Sequence, residues 1–522
     1  MIKTLIYRLK SSRSKCFLFI LFFCAFNFSD AQNSINEGAV KLASVFGNSM
    51  VLQQNEPINI WGESTPGTTI KAQLGVEEQA TITDSNGKWQ VTFKALKASF
   101  RPIVLNVNNL KIENILIGEV WLCSGQSNMA FQLKNMAGYD TIANQVPNKN
   151  IRFLKHSNIR IVAKNGYTEE ELARCNTQNF FQAKWEESTL ETSEMFSAVA
   201  WVFANGLHKK LKVPIGIIQV AVGGSAINNW IPKDALQSNP LTAHLFKTDW
   251  LSNEHVKVEH RNRAKEAFQK VLNANEPYRA GQFKYRWLCE PSFLFEAGIA
   301  PLKNMAFRGV LWYQGESDTD TMETVNNTKT LFPLMVNEWR KYFNIGDFPF
   351  LYVQLPAYKS QFWPEFREIQ QQTLEEVENT SMVVTIDLGL ETNIHPTDKY
   401  PVGDRASKLA LKNVYGFDEI IGFPKLKKWT LNNQEIALTF EESGKGIFSS
   451  SNHIAGFEIG NQLGEFYMAE TKLVDGKVIV KSPIENPASL RYGWTGFPKP
   501  ALSLFNSANL PLGPFFIQFN KF

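Results

Sequence analysis

Ser127 has the setting in this chain that best suits nucleophilic chemistry. It stands just past Gly125 and Gln126, at the end of an apolar run from Ile115 to Cys123 that reads as a buried strand. A strand, a glycine-bearing turn and then a serine lift a hydroxyl clear of the backbone for attack. The first N–H groups of the following element lack intrahelical acceptors and lie within reach of an oxyanion. Gly-x-Ser after an apolar run is common, and a helix-capping serine is the plain alternative. The reading therefore depends on what other groups the chain brings to Ser127.

Further apolar strands are expected at 214–222, 308–314, 348–355 and 381–387, and the first, second and last of these are followed by residues with chemical use. The first of these runs into Gly223-Gly224-Ser225. The second gives Tyr313-Gln314-Gly315-Glu316-Ser317-Asp318. The last leads through Asp387-Leu388-Gly389 to Asn393-Ile394-His395-Pro396. A serine, a diglycine, an amide beside a carboxylate, and a histidine are the parts acyl transfer requires: nucleophile, close backbone donors, a side-chain donor and a base. Singly each has a structural reading, such as a tight turn at Gly223-Gly224 or a buried polar network at Gln314 and Glu316. His395 is the best base by elimination, because the other six histidines lie in helical stretches or away from the strand ends.

The elements that would position these groups follow from periodicity. Helical stretches at 195–211, 334–343, 365–377 and 402–414 alternate with the apolar strands, which argues a parallel sheet covered on both faces between about 114 and 425. In such sheets active sites form beyond the carboxyl ends of the strands. Residues 232–300 read as an irregular insertion at the sheet's rim. Short β-type runs punctuated by Pro66-Gly67 and Asn86-Gly87 predict an N-terminal β-sandwich over 40–113, and similar runs predict a C-terminal β domain over 426–522.

The ends and the composition set the class. Lys3, Arg8, Lys10, Arg13 and Lys15 precede the apolar CFLFILFFCAF and then Ser29-Asp30-Ala31, so residues 1–31 read as a cleaved secretory signal. The expected location is secreted or periplasmic, with no stable membrane span in the mature chain. The leader accounts for the whole formal charge of +4, so the mature chain is neutral and no nucleic-acid partner is expected. Cys123, Cys175 and Cys289 are too few for a disulfide scaffold and have no zinc spacing; no metal or cofactor is expected. The 13 Trp and 39 Phe lean towards sugar handling, with Trp230 and Trp312 as either sugar platforms or core.

In this order, GQSNM, VGGS, WYQGESD and D-L-G-x₅-HP resemble the SGNH (GDSL-like) hydrolases, and more narrowly their sialate O-acetylesterase and carbohydrate acetylesterase branch. Ser44-Val45-Phe46, Met50-Val51-Leu52-Gln53, Leu490-Arg491-Tyr492-Gly493-Trp494 and Asn509-Leu510-Pro511 are similar to that branch's opening and closing segments, so the resemblance spans nearly all of the mature chain. It implies an α/β, flavodoxin-like sheet flanked by β-sandwich-like domains. It further implies Ser127 as nucleophile, His395 as base, and an oxyanion hole from the Ser127 and Gly224 N–H groups with the Gln314 side chain. Asn128, Glu316 and Trp230 are the substrate-binding candidates. Superfamily members often carry an Asp two or three residues before the histidine, where this chain has Asn393 and Thr392. Asp387, Glu391 or a backbone carbonyl is left to orient the ring, with Asp387 preferred. The implied activity is removal of O-acetyl groups from sialic acid, xylan or another glycan. A degenerate carbohydrate-binding protein and a glycosidase using Glu316 with Asp318 or Asp387 are the competing readings.

Overall fold

The structure, a computed structural model, describes residues 39–519 apart from 275–277 and 280–281; the leader expected over 1–31 lies outside the described residues. One strand organises it. Strand β1, Leu110–Gly125, alternates buried and wet residues in its first half, then buries every residue from Ile115 to Gly125. Alternation marks a sheet with one solvated face, and an unbroken buried run marks a strand covered on both faces. β1 is both. Its first half pairs antiparallel with Ser99–Val107, and Leu116 to Gly118 pair in parallel with Val51–Gln53. Its second half enters the sheet that carries Ser127.

The expected boundary at 113/114 falls inside one continuous strand. The N-terminal β region shares a hydrogen-bond ladder with the large sheet through this strand, while Lys41–Leu42, Ile58–Glu63 and Lys88–Phe93 form a separate three-stranded sheet. Buried Glu119 fastens the junction: it accepts from Gln54 (2.5 Å), Gln53 (3.3 Å), Arg308 (2.8 Å) and the Tyr415 hydroxyl (2.7 Å). Four groups from distant parts of the chain satisfy a carboxylate that would be costly to bury alone.

The large sheet adds β2 (Asn148–Ser157), β3 (Gln182–Ser188), β4 (Ile215–Ala221), β5 (Gly309–Tyr313), β6 (Phe350–Val353) and β7 (Thr380–Val383). Their order is β3-β2-β4-β1-β5-β6-β7. All neighbours are parallel except β3 and β2. The sheet is thus mixed, and its antiparallel edge carries charged residues such as Lys149, Arg152, Lys184 and Glu186 in place of a continuous apolar run.

Helices α1 (Ser127–Ala130), α2 (Ala198–Leu211), α3 (Val258–Asn273), α4 (Met322–Phe343), α5 (Trp363–Glu376) and α6 (Tyr400–Asn413) accompany the strands. The Ser197 hydroxyl caps α2 by accepting from the Ala200 N–H. Helix α4 starts twelve residues before the predicted 334, because Thr321 caps it and the run tolerates Pro333. Beyond α6, antiparallel β structure resumes at Lys425–Asn432. Among the described residues no helix is long and apolar enough to cross a membrane, and Cys123, Cys175 and Cys289 are buried free thiols.

Leu122 lies fully buried in the doubly covered half of β1. Leu122→Ala should destabilise the protein by about 3 kcal/mol, the usual cost of a core cavity. Chemical denaturation followed by tryptophan fluorescence checks this, and a loss under about 1 kcal/mol would mean that β1 is not the covered strand described.

Candidate active site

The register of β1 with its neighbours makes the site. Gly125 at the end of β1 is level with Ala221 of β4 on one side and Tyr313 of β5 on the other. The residues that follow all three strands therefore leave the sheet at one edge, beside the strand where the connections switch sides, which is where open α/β sheets place ligands. Gly125 has φ +136°, and a Cβ on it would lie 2.1 Å from the Tyr313 carbonyl oxygen. Only glycine allows strands to end this close.

Ser127 is the first residue of α1, so its N–H has no intrahelical acceptor. His395 arrives on the loop after β7, and its Nε2 stands 2.7 Å from the Ser127 Oγ. Burial, with the Lys399 cation adding to it, holds the imidazole below its ordinary 6.5. The ring is neutral at neutral pH and able to take a proton. Gly223 borders the nucleophile: a Cβ there would lie 3.4 Å from the Ser127 Cβ. Gly224 follows with φ +73°, a left-handed turn that leaves its N–H without a hydrogen-bond partner among the described residues.

Several expected partners lie elsewhere. Asp387 does not reach His395: its two oxygens are taken by the Arg405 guanidinium at 2.7 and 2.5 Å. Glu391 pairs with Lys499 and, at 3.9 Å, with Lys359. Among the described residues no group hydrogen-bonds the His395 Nδ1; the loop is fixed instead by the Asn393 side chain, which accepts from the His395 backbone N–H at 2.9 Å. Gln314 is not an open donor. Its amide donates to the Ser225 carbonyl (3.1 Å) and to Asp318 (2.5 Å), and so ties β5 to the diglycine turn. Trp230 is fully buried, donating to the Ser225 hydroxyl at 3.0 Å and packed edge-on against Trp312, so both tryptophans are core.

Asn128 and Glu316 are buried too, and form a layer beneath the reactive pair rather than a surface for substrate. The Asn128 amide donates to Glu316 and, at 3.0 Å, to the carbonyl of Ile394, the residue before His395. Its oxygen accepts from Lys399 at 2.5 Å. The neighbour of the serine thus grips the neighbour of the histidine. Burial drives Glu316 up and Lys399 down, each towards its neutral form, while their mutual attraction opposes this. The Lys399 ammonium also lies over the rings of Phe131 (5.1 Å) and Tyr313 (5.6 Å).

Three residues here carried no signal of their own in the sequence. Gln126 lay inside the GQSNM motif; its Oε1 accepts from the Gly315 and Ser317 N–H groups, and its Nε2 has no partner among the described residues. Lys399 is an ordinary loop lysine by sequence. Arg263 comes from α3 in the expected insertion; its Nη1 would lie 3.4 Å from a Cβ on Gly224, and it forms no ion pair among the described residues. His260 of the same helix is buried against the Gly224 backbone. Among the described residues no three His, Cys, Asp or Glu side chains cluster to hold a metal ion.

A serine hydroxyl on a neutral imidazole, beside unpaired backbone donors, is equipped for acyl transfer. Residues 117–248 and 279–406 match the profile of a family described as carbohydrate esterase, sialic acid-specific acetylesterase. The chain belongs to this family. It is a carboxylic ester hydrolase. It is 26% identical over 533 residues to the sialate O-acetylesterase of Mus musculus, covering 92% of this chain and 94% of that one. Against the Homo sapiens sialate O-acetylesterase it is 27% identical over 421 residues, covering 72% and 71%. Among solved structures, a carbohydrate acetylesterase from Xanthomonas citri superposes with a TM-score of 0.74 at 25% identity, covering 92% of this chain and 100% of that one. Arg263 and His260 lie between the two matched segments, so this esterase flanks its diglycine turn with a helix outside the family profile.

With a base held below 6.5, the acid limb of kcat/KM should fall below pH 6.5. Lys399→Met removes the cation that helps to depress it, and should move that limb upward. A limb that stays put or moves down in a folded variant would sever Lys399 from the titration of His395.

Proposed function

We propose that the protein is a secreted serine esterase that removes O-acetyl groups from carbohydrates, with an O-acetylated sialic acid as the favoured substrate class. The observation that carries the mechanism is the 2.7 Å contact between the Ser127 Oγ and the His395 Nε2. His395 takes the Ser127 proton as Oγ attacks the acetyl carbonyl. The oxyanion is received by the Ser127 and Gly224 N–H groups, with the Gln126 amide, which has no partner among the described residues, taking the role expected of Gln314. Collapse breaks the ester bond, the imidazolium returns its proton to the departing sugar oxygen, and acetyl-Ser127 remains. His395 then deprotonates water, whose attack releases acetate and restores the serine. A sugar alcohol is a good enough leaving group that a dyad suffices. The layer of Asn128, Glu316 and Lys399 supports the positioning a triad acid would otherwise provide.

Arg263 supports the acidic sugar. It is exposed at the rim and forms no ion pair among the described residues, next to the turn that borders Ser127. A guanidinium there matches the carboxylate of a sialic acid in a bidentate manner, which a neutral xylan residue does not offer. The names of the mammalian relatives agree with this choice.

Ser127→Ala and His395→Ala should each lower acetate release from 4-nitrophenyl acetate by roughly a thousandfold or more. Near-normal activity in either folded variant would remove the proposed dyad. Separately, Arg263→Ala should raise KM for an O-acetylated sialic acid by about tenfold, the worth of one charge-assisted contact. It should leave 4-nitrophenyl acetate turnover unchanged. Equal effects on acetylated xylan and acetylated sialic acid would assign the substrate class otherwise.

A further inference from the structure

The C-terminal region carries a sheet whose outward face breaks the usual pattern. Strands β8 (Phe457–Gly460), β9 (Phe466–Met468), β10 (Ser489–Tyr492) and β11 (Phe515–Gln518) are antiparallel in the order β9-β8-β10-β11. Phe457, Ile459, Leu490, Tyr492, Phe515 and Ile517 are buried and fill the core beneath. Side chains alternate along a strand, so the intervening residues must face out. They form two rows across the ladder: Met468, Glu458, Arg491 and Phe516, then Phe466, Gly460, Ser489 and Gln518.

A solvated antiparallel face is normally polar. This one keeps Phe516 at 38% and Met468 at 63% exposure, and adds Trp494 just past β10. The Arg491 guanidinium stacks 3.6 Å from the Phe466 ring centroid and 5.8 Å from that of Trp494. Phe516 meets Trp494 at 5.8 Å and Phe466 at 6.5 Å, with ring planes tilted by 56° and 61°. These rings wall a recess of about 510 Å³, completed by Asn461, Gln462 and Gln518. The Gln462 side chain has no partner among the described residues, and the Gln518 amide makes one bond, to the Ala488 carbonyl at 3.2 Å.

We propose that this recess is a second saccharide-binding site, which takes a neutral pyranose unit of the glycan away from the catalytic serine. Inclined aromatic faces suit the C–H face of a sugar ring, and amides set between them suit its hydroxyls. The occupant is neutral because the floor is: Arg491 is paired with Glu458 at 2.8 Å, which cancels its charge and opposes an acidic sugar. The wall of the recess also runs into the brace of the active-site loop. Beyond Trp494, the Thr495 and Gly496 carbonyls accept from buried Arg367 at 2.8 and 3.0 Å, and Lys499 pairs with Glu391 of the His395 loop. A glycan chain held here is held by the region that braces the loop of the catalytic histidine.

The test uses the full chain as Ser127→Ala, so binding is read without turnover and without relying on the catalytic assignment. Xylohexaose is titrated by calorimetry, with N-acetylneuraminic acid as the acidic comparison. Xylohexaose should bind at millimolar concentration or below. Phe516→Ala, a change at an exposed position, should weaken that binding by about tenfold or more, while Phe516→Tyr, which keeps the ring, retains it. In the otherwise native enzyme Phe516→Ala should raise KM for an O-acetylated sialic acid carried on a neutral glycan chain and leave 4-nitrophenyl acetate turnover unchanged. Absence of xylohexaose binding, or binding indifferent to Phe516→Ala, overturns the site. Binding of N-acetylneuraminic acid that is tighter than that of xylohexaose and is lost in Phe516→Ala overturns its assignment to neutral sugars.

Discussion

Three parallel strands ending level at Gly125 are the constraint on which the rest of the structure depends. Register in a parallel sheet is set by the ladder, and here it aligns Gly125 with Ala221 and Tyr313. A slip by one residue would turn the buried run of β1 inside out and would separate Ser127 from the diglycine turn. The apolar run from Ile115 to Cys123 is therefore both core and aiming device. The energy that fixes the register is the burial of its side chains on both faces. The chemistry at its tip adds little to stability and inherits its precision from the sheet.

The histidine is the harder problem, because a dozen residues of loop separate it from β7. The structure solves it with buried polar contacts. Asn128 carries the position of Ser127 to Ile394, and Glu316 and Lys399 hold Asn128 from either side. Burying opposite charges on the two sides of an amide is seldom favourable for stability, because removing either leaves the other uncompensated. Such a pair specifies one arrangement of a loop that packing alone would leave loose. The price is also a lysine close enough to shift the base it helps to place.

The outer face of the same loop is braced by the C-terminal β region. Arg367 is fully buried in α5 and gives its guanidinium N–H groups to the Leu355, Pro356, Thr495 and Gly496 carbonyls. The Tyr358 N–H donates to Gly496 at 2.8 Å. One guanidinium thus stitches the end of β6 to the segment after β10, and the β region becomes part of the catalytic frame. The N-terminal β region is tied in just as firmly, by the shared strand and by Glu119.

The strand ends were legible in the sequence because buried parallel strands are continuous apolar runs, and small or polar residues after such runs stand out. Ser127, Gly223, Gly224 and His395 emerged in that way, and their identity as a set carried the family resemblance. The two β regions were legible from their turn signals, although the run through residue 113 concealed that one strand serves two sheets. The sequence by itself determined the order of elements and the inventory of reactive groups. It could not decide which polar groups meet. Asp387 and Gln314 were plausible partners at the right strand ends, yet Arg405 and Asp318 claimed them. Lys399 and Arg263 were unremarkable in sequence and reached the site only through the packing of a loop and of α3. Hydrogen bonds and charge pairs depend on distances of an ångström between residues hundreds apart, and only the tertiary structure sets those.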